Sequence, residues 1–292
     1  MTVAVLTLVR NRNRLLARLV EALDRADGAP AELVVARAGG EDPAPVLAGV
    51  HRYRVRVVDV GGGDRIAYSA GRNAAAAAAS AEHLLFIDAD TFPAAGAVEA
   101  VDGALRATDA ICLGEILYLP EGAVDDGWTE PDLVGVGRAH PARPRPPRRG
   151  WEEVADGHPF VWGTCFGMRR TSFDALGGFD EAFTGYAGED TDLAVAARTR
   201  GIPVGLVGGA TVFHQHHDVF EPPVQQFEAT LANARRFRKK WGHWPMEGWL
   251  EEFRDLGLIR WSREGPDVVV LRLPTDAEVA AARRTSALPF RR

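Results

Sequence analysis

Apolar segments alternate with amphipathic ones through the first third of the chain. Residues 3–8 are β-branched and apolar, and polar residues 10–14 separate them from an apolar pattern at helical spacing in residues 15–23. Residues 32–36 and 54–60 have the pattern of two further short strands. Because strands that alternate with helices form βαβ units, the pattern predicts an α/β fold with a mostly parallel sheet flanked by helices.

The next predicted strand ends at a pair of carboxylates. Alanine-rich residues 69–81 favour a helix, and the apolar strand 83–87 that follows stops at Asp88-Ala89-Asp90. In open α/β sheets ligands bind at the carboxyl ends of the strands, so this pair lies at the expected ligand-binding edge. Further along, the pattern predicts an apolar segment at 160–168, a helix at 190–200 ended by Gly201-Ile202-Pro203, an amphipathic helix at 223–241 and a strand at 268–273.

The segment RAHPARPRPPRRG, residues 138–150, is unlike the rest of the chain. Its prolines cannot donate backbone hydrogen bonds and its arginines repel one another, so a mobile or polyproline-like loop is expected. It is either a solvated surface loop or a basic flap beside an anionic ligand, and the sequence leaves both open.

Composition limits the class of protein. With 46% hydrophobic and 25% charged residues among 292, one large globular α/β domain is the simplest arrangement. A net charge of -6 argues against a general nucleic-acid binder, which needs a basic surface. Two cysteines without CxxC spacing, Cys112 and Cys165, indicate core thiols in a reducing compartment. No segment reaches the roughly 18 apolar residues of a membrane span, and no signal-peptide pattern is present, so a cytoplasmic protein without a transmembrane segment is expected.

Asp88 and Asp90 are candidate metal ligands. Carboxylate oxygens suit Mg²⁺ or Mn²⁺, and such ions keep positions free for substrate phosphates. Acidic pairs are also common at loop starts, so the pair alone is weak evidence for a metal site.

A second acidic cluster follows a glycine-rich turn in GYAGEDTD, residues 185–192. Acids in a first helical turn are favoured by the helix dipole alone, and this explanation fits Asp192 well. Three acids exceed what a helix start needs, so one of them is a candidate general base for an acceptor hydroxyl.

Three histidines, His214, His216 and His217, follow a short apolar segment. Neutral imidazole is a common ligand of transition metals, and three so close together could form a zinc site by themselves. We expect one of them to join Asp90 on the metal.

Arg10, Arg12 and Arg14 follow the first predicted strand, at the same edge of the sheet. Guanidinium groups match the geometry of phosphates and nucleobase carbonyls. An exposed charged loop is the alternative.

Taken in order, these segments resemble the GT-A glycosyltransferases. They are most similar to the β-1,4-galactosyltransferase-like group and its bacterial relatives in the large family-two assemblage. The resemblance implies a Rossmann-like GT-A domain at 1–241, with a donor-binding part at about 1–120 and an acceptor-binding, catalytic part at about 150–241, and a C-terminal extension at 242–292 packed on it. The segments that carry the resemblance are LVRNR, FIDADTFP, FVWGTCFGMRR, GGFDEAFTGYAGEDTDL and VFHQHHD.

The resemblance also implies roles on the donor side. Asp90, the second acid of the DxD pattern, and His214 would bind a divalent metal, Mn²⁺ or Mg²⁺, that bridges the donor's diphosphate. The nucleotide would lie against Thr7, Val9, Arg10, Arg12 and Asp88.

On the acceptor side, Asp190 matches the catalytic base of the family. It would deprotonate the acceptor hydroxyl as it attacks the anomeric carbon from the face opposite the diphosphate, so the configuration would invert. Glu189, Tyr186 and Trp162 would hold the acceptor. The chain has Tyr186 where the galactosyltransferase pattern has tryptophan, and Ala187 where it has glycine, which leaves the donor sugar open.

The predicted function is transfer of a sugar from a nucleotide-sugar, by default a UDP-sugar, to a hydroxyl of an acceptor. The acceptor is open: a glycan, a peptide, a lipid-linked precursor or a small molecule. A nucleotidyltransferase is an alternative, but residues 7–14 contain no glycine of a phosphate-binding loop. A catalytically inactive binding module of the same fold is another, against which the intact Asp90, Asp190 and His214 argue. A zinc protein organised by the three histidines lacks an evident fourth ligand.

Overall fold

The computed structural model describes residues 2–63, 65–125 and 127–284. Ten of the strands in this part of the chain form one sheet, in the order β3-β2-β1-β4-β9-β6-β10-β5, with β7 beside β6 and β8 beside β10. Two small sheets, β11 with β14 and β12 with β13, lie in the last third of the chain. The strands are β1 Val3–Val9, β2 Glu32–Arg37, β3 Arg54–Asp59, β4 His83–Ile87, β5 Thr91–Pro93, β6 Ile111–Tyr118, β7 Arg138–Ala139, β8 Gly150–Glu153, β9 Cys165–Arg169, β10 Val204–His214, β11 Val219–Phe220, β12 Ile259–Arg260, β13 Val269–Val270 and β14 Arg283–Arg284.

Helices connect the strands and cover both faces of the large sheet. Helix α1 begins at Asn13, within the polar segment predicted at residues 10–14, and its apolar face, including Leu16 and Leu19, is buried. The helices are α1 Asn13–Arg25, α2 Ala44–Leu47, α3 Tyr68–Ala78, α4 Ala97–Ala107, α5 Glu130–Val136, α6 Arg170–Leu176, α7 Glu189–Thr199, α8 Phe227–Trp241, α9 Glu247–Asp255 and α10 Asp276–Ala282, and short 3-10 helices occupy His158–Phe160 and Val224–Gln226.

Strand direction decides which loops meet. Strands β3, β2, β1 and β4 pair in parallel, β9 runs antiparallel to both β4 and β6, and β10 is parallel to β6. Six strands of the large sheet therefore share one direction, which confirms the predicted mostly parallel α/β sheet. The carboxyl ends of β1, β4, β6 and β10 lie at one edge, which we call the carboxyl edge. Antiparallel β9 begins at this edge, so the residues before it lie there as well.

Two hydrophobic clusters pack on the two faces of the sheet. Alternate residues of β1 supply both, since Val5 belongs to one cluster and Leu6 to the other. Helix α3 approaches β1 closely: a Cβ on Gly71 would lie 2.4 Å from a methyl carbon of Leu8. Free, buried Cys112 and Cys165 confirm the prediction of core thiols.

A third cluster joins α8 to the C-terminal extension. Phe227 and Leu231 of α8 pack with Leu250 and Phe253 of α9, and all four side chains are buried. The predicted start of the extension at residue 242 therefore lies between residues that belong to one hydrophobic cluster. Residues 285–292 of the predicted extension lie outside the described residues.

One local prediction differs from the structure, and the predicted loop at 138–150 has an anchor that the sequence did not show. The strand expected at residues 268–273 is reduced to β13, and Leu271 and Leu273 are exposed. The segment at 138–150 is anchored, because buried Arg143 donates hydrogen bonds to the carbonyl oxygens of Phe160 and Gly114. Those two carbonyls are distant in sequence, so composition alone could not reveal the anchor.

Among the helices that the structure describes, none has the length and apolar character to cross a membrane.

Candidate active site

A cavity of about 570 Å³ opens at the carboxyl edge. Its walls come from the loops after β1, β4 and β10, the segment before β9, the glycine-rich turn before α7 and the start of the C-terminal extension. The lining residues are Leu8, Arg10, Arg12, Ile66, Tyr68, Arg72, Asp88, Ala89, Asp90, Tyr118, His140, Trp162, Gly163, Thr164, Tyr186, Ala187, Gly188, Glu189, Asp190, Thr191, His214, His217, Val219, Phe220, Glu221, Met246 and Trp249.

Asp90, His214 and His217 form a cluster at one wall. Their candidate ligand atoms lie within 4.8 Å of one another. His217 Nε2 is 3.1 Å from Asp90 Oδ2, and His214 Nε2 is 3.7 Å from Asp90 Oδ1. The backbone amide of Gln215 donates a 2.8 Å hydrogen bond to the backbone carbonyl oxygen of Asp90, so the loop after β10 is joined to the loop after β4. The pattern predicts one histidine beside Asp90, and the structure brings two.

The charges in this cluster depend on its burial and on its partners. Burial by itself raises the pKa of Asp90, but His214, His217 and Arg12 together lower it well below its ordinary value. Burial lowers the pKa of His214 to about 4, so this imidazole is neutral at pH 7. An ionised carboxylate beside a neutral imidazole is a competent donor set for a divalent cation.

Arginines of the first loop reach the same wall. Arg12 forms an ion pair with Asp90, and Arg10 donates a 2.8 Å hydrogen bond to the carbonyl oxygen of Gly63. Arg14 instead pairs with Asp125 at 3.3 Å on the surface. Arg10 and Arg12 both line the cavity and therefore bring positive charge to it.

Sequence reasoning missed Arg72. Its guanidinium is buried and donates to Asp88 over 2.9 Å and to Glu189 over 2.8 Å. A Cβ on Gly163 would lie 2.3 Å from the guanidinium, so a side chain there would displace Arg72 from its present position. The sequence did contain one signal, because Arg72 is the only charged residue within the alanine-rich segment 69–81. An arginine that is buried in such a helix needs charged partners.

The acidic cluster begins α7. Gly188 precedes the helix with a φ of 95°, a conformation that favours glycine, and turns Glu189 and Asp190 toward the cavity. Asp190 Oδ2 accepts a hydrogen bond from the Gly163 amide at 3.1 Å, and Oδ1 accepts from the Thr191 amide at 2.7 Å. Burial, and then the charge of Asp190, raises the pKa of Glu189 to about 7.

Asp192 does not line the cavity. Its buried carboxylate accepts hydrogen bonds from the Trp241 indole at 2.7 Å and from the Lys240 ammonium at 2.9 Å. Asp192 therefore joins α7 to α8. Its role is structural, as its place in the first turn of a helix suggested.

Comparison with known proteins identifies the family. The sequence signature described as Glycosyl transferase family 2 matches residues 4–177, more than half of the chain. The chain belongs to glycosyl transferase family 2. It is therefore a glycosyltransferase, and the nucleotidyltransferase alternative is set aside.

Among curated relatives, the glycosyltransferase is similar to the N-acetylglucosaminyl-diphospho-decaprenol L-rhamnosyltransferase of Mycobacterium tuberculosis. The two are 26% identical over 236 residues, which cover 73% of this chain and 76% of the relative. The same values are found for the strains CDC 1551 / Oshkosh and ATCC 25618 / H37Rv.

Solved structures share the GT-A fold. TarS 1–349 of S. aureus superposes with a TM-score of 0.55 at 14% identity, covering 82% of this chain and 66% of that chain. GalNAc-T7, solved with UDP, GalNAc and Mn²⁺, gives a TM-score of 0.57 at 15% identity, covering 87% of this chain and 57% of that chain. TarS 1–349 in complex with UDP-GlcNAc gives a TM-score of 0.53 at 14% identity, covering 82% of this chain and 73% of that chain. The chain thus spans just under two thirds of the first TarS chain and less of GalNAc-T7.

Most of the predicted site residues of this glycosyltransferase line the cavity. Thr7 and Val9 are buried within β1 and do not line the cavity, although the strand ends there. Sequence reasoning missed Trp249 and Met246 of the C-terminal extension, which do line it. The cavity brings together nine of the predicted residues: Arg10, Arg12, Asp88, Asp90, Trp162, Tyr186, Glu189, Asp190 and His214.

Proposed function

We propose that this glycosyltransferase transfers a sugar from a UDP-sugar to an acceptor hydroxyl, with a divalent metal and with inversion of configuration. The observation that carries the proposal is that one cavity holds a carboxylate–imidazole cluster at one wall and the Asp190 carboxylate at another. A metal site and a base in one cavity are the two groups that the reaction requires.

The ligand chemistry of the cluster suits Mn²⁺ better than Mg²⁺. One carboxylate and two imidazoles offer mixed oxygen and nitrogen ligands, whereas Mg²⁺ prefers oxygen alone. Asp90, His214 and His217 would hold the ion. When bound, it supplies positive charge that stabilises the diphosphate as it leaves.

The donor would lie along the carboxyl edge. Arg10 and Arg12 bring positive charge for the diphosphate, and Asp88, held by Arg72, faces the nucleotide. The end of β1 would border the base pocket through Leu8 and Arg10, which line the cavity, while Thr7 and Val9 stay buried in the strand. UDP is favoured because TarS structures contain UDP and UDP-GlcNAc and the GalNAc-T7 structure contains UDP. The rhamnosyltransferase relative leaves the sugar itself open.

Asp190 would act as the base. Hydrogen bonds from the Gly163 and Thr191 amides fix its carboxylate, which accepts the proton of the acceptor hydroxyl. Attack from the Asp190 side, opposite the diphosphate, inverts the anomeric centre. Glu189, Tyr186 and Trp162 would hold the acceptor in place.

The first test is a thermal-shift panel of UDP, GDP, CMP, dTDP and their common sugars, each with and without Mn²⁺. A ligand that binds only the folded chain raises its melting temperature. We expect a Mn²⁺-dependent shift with UDP and its sugars. A shift confined to another nucleotide would overturn the UDP assignment, and no shift with any nucleotide would overturn the proposed donor class.

A further inference from the structure

Aromatic side chains are concentrated at the cavity. The sequence contains four tyrosines, and three of them, Tyr68, Tyr118 and Tyr186, line it together with Trp162 and Trp249. Tyr118 also belongs to one of the two clusters on the sheet, and Tyr68 and Trp162 pack against these clusters, whereas Tyr186 and Trp249 belong to neither. Aromatic faces in a polar cavity are typical of ligand recognition.

Trp249 is the aromatic residue that the C-terminal extension contributes. Its ring stacks on Tyr186, with centroids 5.9 Å apart and planes 28° apart, and both residues line the cavity. The two rings therefore lie in contact at one side of the cavity, which we call the aromatic wall. Tyr186 lies three residues before Glu189 and four before Asp190, so the wall belongs to the acceptor side of the cavity.

Helix α9 holds Trp249 firmly. The neighbouring Leu250 and, one turn on, Phe253 are fully buried in the third hydrophobic cluster, while Trp249 is partly exposed in the cavity. An aromatic group that is already ordered loses little conformational entropy when a ligand stacks on it. The wall is thus pre-formed for a flat ligand.

We propose that Trp249 and Tyr186 form an acceptor subsite that binds the apolar face of a pyranose, so that the acceptor is itself a glycoside. This proposal rests on the proposed function. A pyranose presents a rigid face of C–H groups and a rim of hydroxyls, which match an aromatic wall beside the Glu189 and Asp190 carboxylates. An acyl chain would instead offer no hydroxyl donor to these carboxylates.

The test measures binding of methyl glycosides of glucose, N-acetylglucosamine, galactose and rhamnose to the full chain with UDP and Mn²⁺, by calorimetry. Sorbitol is the matched control ligand, because it carries the hydroxyls without a rigid C–H face. We expect at least one glycoside to bind and sorbitol not to bind. Trp249→Ala should weaken glycoside binding about tenfold and Trp249→Phe much less, since a phenyl ring keeps part of the wall.

Glu251→Ala, on the same helix but outside the cavity, should bind glycosides like the wild type. Glycoside binding that is unchanged in Trp249→Ala, or the absence of any glycoside binding to the wild type, would overturn the subsite. Binding of UDP with Mn²⁺ is measured first in each variant. If the wild type does not bind UDP with Mn²⁺, the proposed function is contradicted. If it binds UDP but no glycoside, only the subsite is contradicted. If Trp249→Ala fails to fold, the glycoside affinity of Trp249→Phe and the comparison with sorbitol still test the subsite.

Discussion

Five carboxyl groups line the cavity, and the partners of Asp90 and Glu189 give these two different properties. Asp90 lies among cationic and imidazole groups and stays ionised, whereas Glu189 is buried beside Asp190 and has a pKa of about 7. Buried Arg72 links Asp88 to Glu189, which connects the proposed donor side to the proposed acceptor side. Residue type alone therefore does not separate a metal ligand from a base, but the environment does.

Asp190→Asn removes the proposed base and keeps one of the two oxygens that accept hydrogen bonds from backbone amides. We expect UDP binding to stay near the wild-type value and the transfer rate to fall by roughly two or more orders of magnitude. Calorimetry and a glycosyl-transfer assay measure the two quantities. Asp174→Asn, an exposed acid on α6, is the control, and turnover near the wild-type rate in Asp190→Asn would remove this residue from the role of base.

The metal cluster predicts that two of the three histidines affect the Mn²⁺ requirement and that the third does not. His214→Ala and His217→Ala should each raise the Mn²⁺ concentration needed for half-maximal activity by about tenfold or more, because each removes a ligand of a three-ligand set. His216→Ala is the matched control, since His216 does not line this cavity. A response to His216→Ala as large as that to His214→Ala would contradict the assignment.

The raised pKa of Glu189 has a consequence for stability. A carboxyl whose pKa is higher in the folded chain binds protons more tightly there, so stability falls as pH rises from about 4.5 to about 7. We expect Glu189→Gln to remove this fall, as measured by urea unfolding across that pH range. Glu228→Gln, on the exposed side of α8, should retain the wild-type slope. An identical slope in Glu189→Gln would show that Glu189 does not titrate there.

At the scale of elements, α8 supports the turn that carries the acidic cluster. The buried Asn233 amide on α8 donates to the carbonyl oxygens of Thr184 at 3.2 Å, Tyr186 at 3.2 Å and Ala187 at 2.8 Å. Ala187 has a φ of 70°, in the left-handed region where an L-residue is strained. The hydrogen bonds from α8 thus hold a turn that its own backbone preferences would not maintain.

Asn233→Asp replaces the donor with a carboxylate that faces three carbonyl oxygens. We expect the free energy of unfolding to fall by about 1–3 kcal/mol, in line with the loss of buried hydrogen bonds. Chemical denaturation measures it, with Arg236→Ala on the exposed face of α8 as the control. Unchanged stability in Asn233→Asp would mean that the turn holds its shape without α8.

At the scale of the whole molecule, the C-terminal extension completes both a hydrophobic cluster and a cavity wall. Leu250 and Phe253 pack on Phe227 and Leu231 of α8, and Trp249 faces the cavity. The predicted domain boundary at 241/242 thus separates residues that share one cluster. This continuity argues that the extension folds together with the catalytic part.

A chain ended at residue 241 should therefore be destabilised. It loses Leu250 and Phe253, each of which contributes about 1.5–3 kcal/mol when buried, and it exposes the apolar face of α8. We expect a lower melting temperature and binding of a hydrophobic dye. A chain ended at residue 284 is the control, because it keeps every described member of the cluster. Wild-type stability in the shorter chain would show that residues 1–241 fold independently.

Local patterns were enough for much of the fold and part of the site. The strand at residues 83–87 matches β4 at both ends, because four apolar residues after His83, between polar segments, indicate a buried strand by themselves. The DxD pair and the acids of GYAGED were recognisable because each group lies within a few consecutive residues. The order of these segments also indicated the GT-A fold that the solved structures share.

Only the tertiary structure decided the partners of these groups. Arg72 and Glu189 are 117 positions apart, and Tyr186 meets Trp249 through the packing of α9, so neither contact leaves a trace in the local pattern. The same holds for His217 beside Asp90 and for the buried Arg143. Hydrophobic periodicity depends on neighbours along the chain, whereas charge partners and cavity walls depend on which ends of distant elements meet when the sheet forms.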